Sequence, residues 1–169
     1  MARTVTFQGN PLSLGGKAVK VGDKAPDFVV VTQDLKEIRL ADFSGKTKLI
    51  STFPSLDTPV CDLQVKEFNK RAASLSADIS VIGISRDLPF AQKRFCSENG
   101  IKKEAVLSDY KTGSFGINYG LVINELNLLT RSIIIIDKDD VIRYIQIAPE
   151  ITKALDYEDA IKALVAVGR

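Results

Sequence analysis

The chain contains no histidine, and only two of its 169 residues are cysteines, Cys61 and Cys96. Without an imidazole there is no Cys-His or Ser-His pair to activate a nucleophile, no histidine-ligated haem and no ordinary catalytic zinc site. Two thiols cannot hold a four-thiolate cluster, and the absence of Cys-x-x-Cys argues against a general disulfide oxidoreductase. A dominant charge is missing too. The 23 basic and 21 acidic residues leave a formal +2 without a block of like charges, so the chain carries no electrostatic footprint for nucleic acid. No apolar run is long enough to span a bilayer, and Met1-Ala2-Arg3-Thr4-Val5-Thr6-Phe7 lacks the apolar core of a secretory leader. A cytoplasmic protein with neither nucleic-acid nor membrane partners is the expectation. No linker, repeat or low-complexity stretch divides the chain, so residues 1–169 read as one domain.

What the chain does have is Pro54-Ser55-Leu56-Asp57-Thr58-Pro59-Val60-Cys61. The run before it, from Lys48 to Phe53, has strand composition, and Pro54 stops it because proline has no N–H to give to a ladder. Thr58 is a good N-cap and Pro59 suits the first helical position. Leu63, Val65, Phe68 and Ala72 then recur at helical spacing. Cys61 falls in the first turn of that helix, where unpaired N–H groups and the positive end of the dipole favour an anion over a neutral thiol. Helix position alone is too weak. Turning a free thiol from a few per cent to mostly ionised at neutral pH takes about 3 kcal/mol. A helix amino terminus supplies about 0.3 to 1 kcal/mol, and at most about 2. With no histidine present, the remainder has to come from a permanent cation, an arginine, for which Arg86, Arg94 and Arg131 are open choices.

Strand and helix signals alternate along the rest of the chain. Val5–Phe7 and Lys17–Val19 read as a small hairpin turning at Asn10-Pro11 and Gly15-Gly16. Strands are expected at 28–31, 37–39, 48–53, 79–85 and 106–107, with a helix that begins near Asp87-Leu88-Pro89, carries Cys96 on its later part and runs to a C-terminal cap at Gly100. Residues 111–129 read as loops or short helical turns. Ser132–Ile136 and Val141–Ile147 read as an antiparallel hairpin whose tip holds Asp137, Asp139 and Asp140, acids that lack the calcium-loop pattern. A last amphipathic helix spans 157–167. This order predicts an α/β, thioredoxin-like domain: a central mixed sheet flanked by helices, with an added amino-terminal β-hairpin.

The Pro-x-x-x-Thr-x-x-Cys signature of the peroxiredoxins is matched by Pro54, Thr58 and Cys61, and the chain resembles that family. It is most similar to the thiol peroxidase subfamily of atypical two-cysteine members, through residues 55–61 and Ser85-Arg86-Asp87-Leu88-Pro89-Phe90-Ala91-Gln92-Lys93-Arg94-Phe95-Cys96. Gly22-Asp23-Lys24-Ala25-Pro26-Asp27-Phe28 and Arg131-Ser132-Ile133 extend the likeness over nearly the whole chain. The resemblance implies that Cys61 is the peroxidatic cysteine and Cys96 the resolving one. Thr58 and Arg131 would complete the peroxide site, with Pro54 shielding it. It further implies reduction of hydrogen peroxide and organic hydroperoxides without metal or prosthetic group, through a Cys61–Cys96 disulfide recycled by thioredoxin. A homodimer is implied as well, with the loop after Cys61 and the region Ile117–Tyr119 as contacts. Typical two-cysteine members keep a resolving cysteine near the carboxyl terminus, where this chain has none. The bacterioferritin-comigratory type often has one five residues on, where this chain has Lys66.

Each residue also has a plainer explanation. A cysteine in a helix is commonly a small buried apolar residue. Pro54 and Thr58 serve as strand stop and helix cap, and an arginine at a strand edge is usually solvated. The same fold could also house a redox-sensing binding protein that uses the disulfide as a switch and turns over little. Phe90 and Phe95 would border an apolar entrance near Cys96. Because a disulfide needs Cα atoms about 4.4 to 6.8 Å apart and the two cysteines lie on different helices, both helices are expected to unwind locally on oxidation.

Overall fold

The computed structural model describes residues 3–167. Its centre is a seven-stranded sheet built on three parallel strands, β5 (Thr47–Thr52), β6 (Ile79–Ser85) and β7 (Ala105–Ser108). Antiparallel pairs extend both edges. β10 (Ser132–Ile136) and β11 (Ile142–Ile147) continue beyond β5, and β3 (Val29–Val31) and β4 (Glu37–Arg39) beyond β7. The sheet order is therefore β11-β10-β5-β6-β7-β3-β4. The parallel strands are joined by α1 (Pro59–Ala72) and α2 (Pro89–Asn99), and α4 (Tyr157–Val167) closes the fold. This is the thioredoxin-like arrangement expected of the strand and helix order.

Successive strand residues point to opposite faces of the sheet, and because both faces are covered the central strands are buried almost continuously. In β5, Ile50 joins the core of Phe28, Ile82, Ile84, Phe115, Tyr119 and Ile134, while its neighbour Leu49 packs on the opposite face with Phe68 of α1 and Leu164 of α4. β5 also buries Lys48, whose ammonium group donates to the carbonyl of Asp137 at 3.2 Å and to the Asp140 carboxylate at 2.5 Å. Together with the backbone N–H groups of Asp139 and Val141, both 2.9 Å from Asp137 Oδ1, this accounts for the acidic hairpin tip. Among the described residues no cluster of His, Cys, Asp and Glu is arranged to hold a metal ion, and no helix is long and apolar enough to cross a membrane.

Two expectations need correction. The amino-terminal hairpin exists, but its strands are β1 (Arg3–Phe7) and β2 (Asn10–Gly15), turning at Gln8 and Gly9; Lys17–Val19 belongs to no strand. Asn10-Pro11 lies inside a strand because β2 meets its second neighbour only through Leu14 and Gly15, so the missing N–H of Pro11 costs no ladder bond there. The segment 111–129 is also more regular than expected. It contains α3 (Ser114–Tyr119) and the two-residue strands β8 (Val122–Ile123) and β9 (Leu128–Leu129), which complete a small second sheet of order β1-β2-β8-β9.

Glu104, at the entrance to β7, is only 4% exposed, and neither carboxylate oxygen has a hydrogen-bond partner. It lies over Gly83, where a Cβ would come within 2.6 Å of Oε1, so a side chain at position 83 would have to displace the carboxylate. Burial holds this carboxyl well above its usual range, and the neighbouring Ser51 hydroxyl, which makes no hydrogen bond of normal geometry, opposes that weakly. Below about pH 4.3 the group is neutral folded and unfolded. Above that the unfolded chain ionises first, so stability falls as pH rises towards the folded-state value. Glu104→Met is expected to raise stability by about 1 to 3 kcal/mol at pH 8 and by less at pH 5. Urea unfolding at the two pH values reads this directly, and an equal gain at both would contradict the assignment.

Candidate active site

β5 ends where expected. Phe53 still donates to the Ile84 carbonyl at 3.3 Å, and the buried Pro54 breaks the ladder. A turn follows in which the Thr58 N–H and hydroxyl both donate to the Ser55 carbonyl, at 3.2 and 3.1 Å. Thr58 is the N-cap of α1 and Pro59 its first residue. The Thr58 Oγ1 accepts from the Cys61 N–H at 3.4 Å. The Thr58 hydroxyl proton is thus directed at Ser55 and not at the Cys61 sulfur.

Cys61 is fully buried in the first turn of α1, in an apolar cluster with Phe53, Leu56, Val65, Ile101, Val106 and Cys96. A guanidinium reaches it from the far side. Arg131, immediately before β10 and 1% exposed, brings Nη2 to 3.2 Å from Cys61 Sγ. Arg86 instead pairs with Asp109 at 3.3 Å and donates to Asn127, and Arg94 is exposed. Of the three arginines, therefore, only Arg131 meets the sulfur.

Burying a guanidinium is costly unless its donors are used, and here they are fixed on three sides. Nε and Nη2 donate to the Ile151 carbonyl at 2.9 and 2.8 Å, and Nη1 donates to Gln64 Oε1 at 2.8 Å. Gln64 is buried one helical turn after Cys61, and its amide nitrogen donates to the Thr52 carbonyl at 3.0 Å. Ile151 is held in turn by β1. Its N–H donates to the Thr6 carbonyl at 2.9 Å, and the Thr6 N–H donates to the Pro149 carbonyl at 2.8 Å. The amino-terminal hairpin therefore braces the loop that orients the arginine. Sequence reasoning missed both supports. A buried glutamine on the Cys61 face of α1 was a usable signal, whereas a backbone carbonyl carries no residue signature.

Cys96 lies in the last turn of α2 and is 7% exposed. Its carbonyl accepts from the left-handed Gly100 and from Ile101, which end the helix as expected. Burial pushes the Cys96 thiol up, partly offset by a hydrogen bond from Gln33 Nε2 at 3.4 Å and reinforced by the negative charge of Glu104. Both cysteines are free thiols packed in one cluster. Leu63, Leu88 and Phe90 stand exposed on α1 and at the start of α2, while Phe95 is partly buried against the cysteine cluster. Cys61 is not followed by a loop, since α1 continues to Ala72. Of the other expected contact region, Ile117 is exposed and Tyr119 fully buried. A buried thiol, a helix amino terminus and a fixed guanidinium converging on its sulfur, with a second thiol in the same cluster, can form a reactive thiolate and then a disulfide.

Comparison with known proteins follows the same line. The family model described as Redoxin matches residues 20–164. A thiol peroxidase of Halalkalibacterium halodurans is 47% identical over 163 residues, covering 96% of this chain and 98% of that protein. A thiol peroxidase of Bacillus subtilis is 48% identical over 163 residues, covering 96% and 97%. Among solved structures, a peroxiredoxin-like protein from Aquifex aeolicus superposes with a TM-score of 0.93 at 41% identity, covering 99% of this chain and 98% of that one.

Proposed function

This chain belongs to the Redoxin family, in its thiol peroxidase subfamily, and we propose that it reduces hydrogen peroxide and organic hydroperoxides through Cys61 and Cys96 alone. The observation that carries the proposal is the Arg131 guanidinium 3.2 Å from the sulfur of Cys61, a fully buried residue in the first turn of α1. The thiolate attacks the terminal oxygen of ROOH, the O–O bond breaks, and the leaving alkoxide takes a proton to become ROH or water, leaving Cys61–SOH. Negative charge grows on the oxygens as that bond breaks. Arg131 and the first N–H groups of α1, assisted by Thr58 once its hydroxyl turns from Ser55, stabilise that charge more than they stabilise the bound substrate. Pro54 shields the site from water. The thiol of Cys96 then displaces the hydroxyl of the sulfenic acid, forming the disulfide and releasing water.

Burial of the Cys96 thiol fits this order of events, because it keeps the resolving group protonated until α2 opens. Thioredoxin supplies the two electrons and two protons that restore both thiols. Exposed Leu63, Leu88 and Phe90 suit the approach of apolar hydroperoxides. Residues 1–169 act as one domain in the cytoplasm, as a homodimer that uses the exposed Ile117. With thioredoxin, its reductase and NADPH, the wild type is expected to consume many equivalents of hydroperoxide. Cys96→Ser is expected to consume one and stall. A wild type that also stops at one equivalent would replace turnover with a redox-sensing role.

A further inference from the structure

The segments carrying the two cysteines are tied together by one carboxylate, that of Asp87. An aspartate beside a helix start can serve that helix's own amino terminus when it occupies the N-cap position. Asp87 does not: the N-cap position of α2 is Leu88, and no side chain caps it. Both Asp87 oxygens instead face the turn that precedes α1. Oδ1 accepts from the Ser55 hydroxyl at 3.0 Å, and Oδ2 accepts from the Leu56 N–H at 3.0 Å and the Ser85 hydroxyl at 2.6 Å. The Asp87 carbonyl is held by the Ser108 hydroxyl at 2.5 Å, and Gln92 of α2 donates to Ser85 Oγ at 3.1 Å. From Asp87 the connection runs through Ser55, whose carbonyl holds Thr58, to the Cys61 N–H that Thr58 caps.

We propose that Asp87 is a positioning residue, a clasp that keeps the Cys61 turn and the root of the Cys96 helix closed against each other and so sets the rate at which the disulfide forms. The inference rests on the Cys61–Cys96 disulfide proposed above. With the clasp closed, Cys61 is held beside Arg131 for reaction with peroxide, while Cys96 stays in the cluster beneath α2. Disulfide formation requires the first turn of α1 to loosen and α2 to move off the cluster that holds Cys96, and the two hydrogen bonds that join the Asp87 carboxylate to the Ser55–Leu56 turn oppose that, with Ser85 fixing the carboxylate in place. A clasp that opens slowly also leaves the sulfenic acid open to a second hydroperoxide. That reaction, Cys61–SOH with ROOH giving Cys61–SO2H and ROH, ends turnover.

The test is rapid-mixing fluorescence or quenched-flow mass spectrometry of the full chain, resolving sulfenic acid formation from disulfide formation. Asp87→Ala is expected to change the first rate by less than about threefold and to speed the second about tenfold. Inactivation per turnover at high peroxide should fall by a similar factor. Ser55→Ala, which removes one of the three bonds without touching α2, is expected to speed disulfide formation about threefold, and to add nothing in the Asp87→Ala background. Unchanged or slower disulfide formation in Asp87→Ala, or additive effects of the two changes, would overturn the clasp. A wild type that forms no Cys61–Cys96 disulfide would remove the proposed cycle and the clasp together, whereas a disulfide whose rate ignores Asp87 would remove the clasp alone.

Discussion

Arg131→Met is expected to slow the reaction of Cys61 with hydrogen peroxide by about two to three orders of magnitude, the loss typical of removing one fixed donor to a developing anion. The guanidinium does two things at the site. It donates to the Cys61 sulfur at 3.2 Å, and it remains aimed at the space beside it because Ile151 and Gln64 hold its other nitrogens. Methionine fills the volume but leaves the Ile151 carbonyl and Gln64 Oε1 without their donor, so a stability loss of about 1 to 3 kcal/mol should accompany the kinetic one. Arg131→Lys separates charge from geometry. A single ammonium cannot serve the carbonyl, the amide and the sulfur together, so it should recover only part of the rate. Pseudo-first-order loss of the Cys61 thiol under excess peroxide measures the effect, and a rate within threefold of wild type in Arg131→Met would remove the arginine from the mechanism.

Cys61→Ser is the larger change. A serine hydroxyl in the same helix turn stays protonated at neutral pH, and oxygen is a far weaker nucleophile than a thiolate towards a peroxide bond. Peroxide consumption should fall by more than about 10⁴-fold, the scale on which deleting a nucleophile acts. The fold should survive, because the serine occupies a similar volume and Thr58 still caps the N–H at position 61. Retained turnover in Cys61→Ser would transfer the chemistry to Cys96, whose thiol is pushed up by burial and meets the Gln33 amide where Cys61 meets a guanidinium.

Much of this could be read from the chain, and the parts that could not share a physical reason. The strand 79–85, the helix beginning at Pro89 with its cap at Gly100, the run of isoleucines before Asp137 and the closing helix at 157–167 all carry strong local signals: continuous apolar runs, an N1 proline and a left-handed glycine. β8 and β9 are two residues each, too short to show a pattern, and they gain their place by pairing with each other and, through β8, with the distant β2. The second strand of the amino-terminal hairpin was obscured by Pro11, a residue tolerated there because that stretch of β2 lacks a second neighbour. At the site, helix position and the need for a cation were legible at Cys61. Which arginine supplies it was not, since nothing local to Arg131 distinguishes it from Arg86, and the family resemblance made the choice. Gln64, Asp87 and the Ile151 carbonyl matter through partners far away in sequence, and no local pattern registers such contacts.

The most direct test of the account is peptide mapping by mass spectrometry, without reduction, after the fully reduced protein has received one equivalent of hydroperoxide. The account predicts loss of both thiols in each chain and a single Cys61–Cys96 cross-linked peptide, absent from Cys61→Ser and replaced in Cys96→Ser by a sulfenic acid on Cys61. Peroxide consumed while both thiols persist, or cross-links that join Cys61 to Cys61 of another copy, would contradict it.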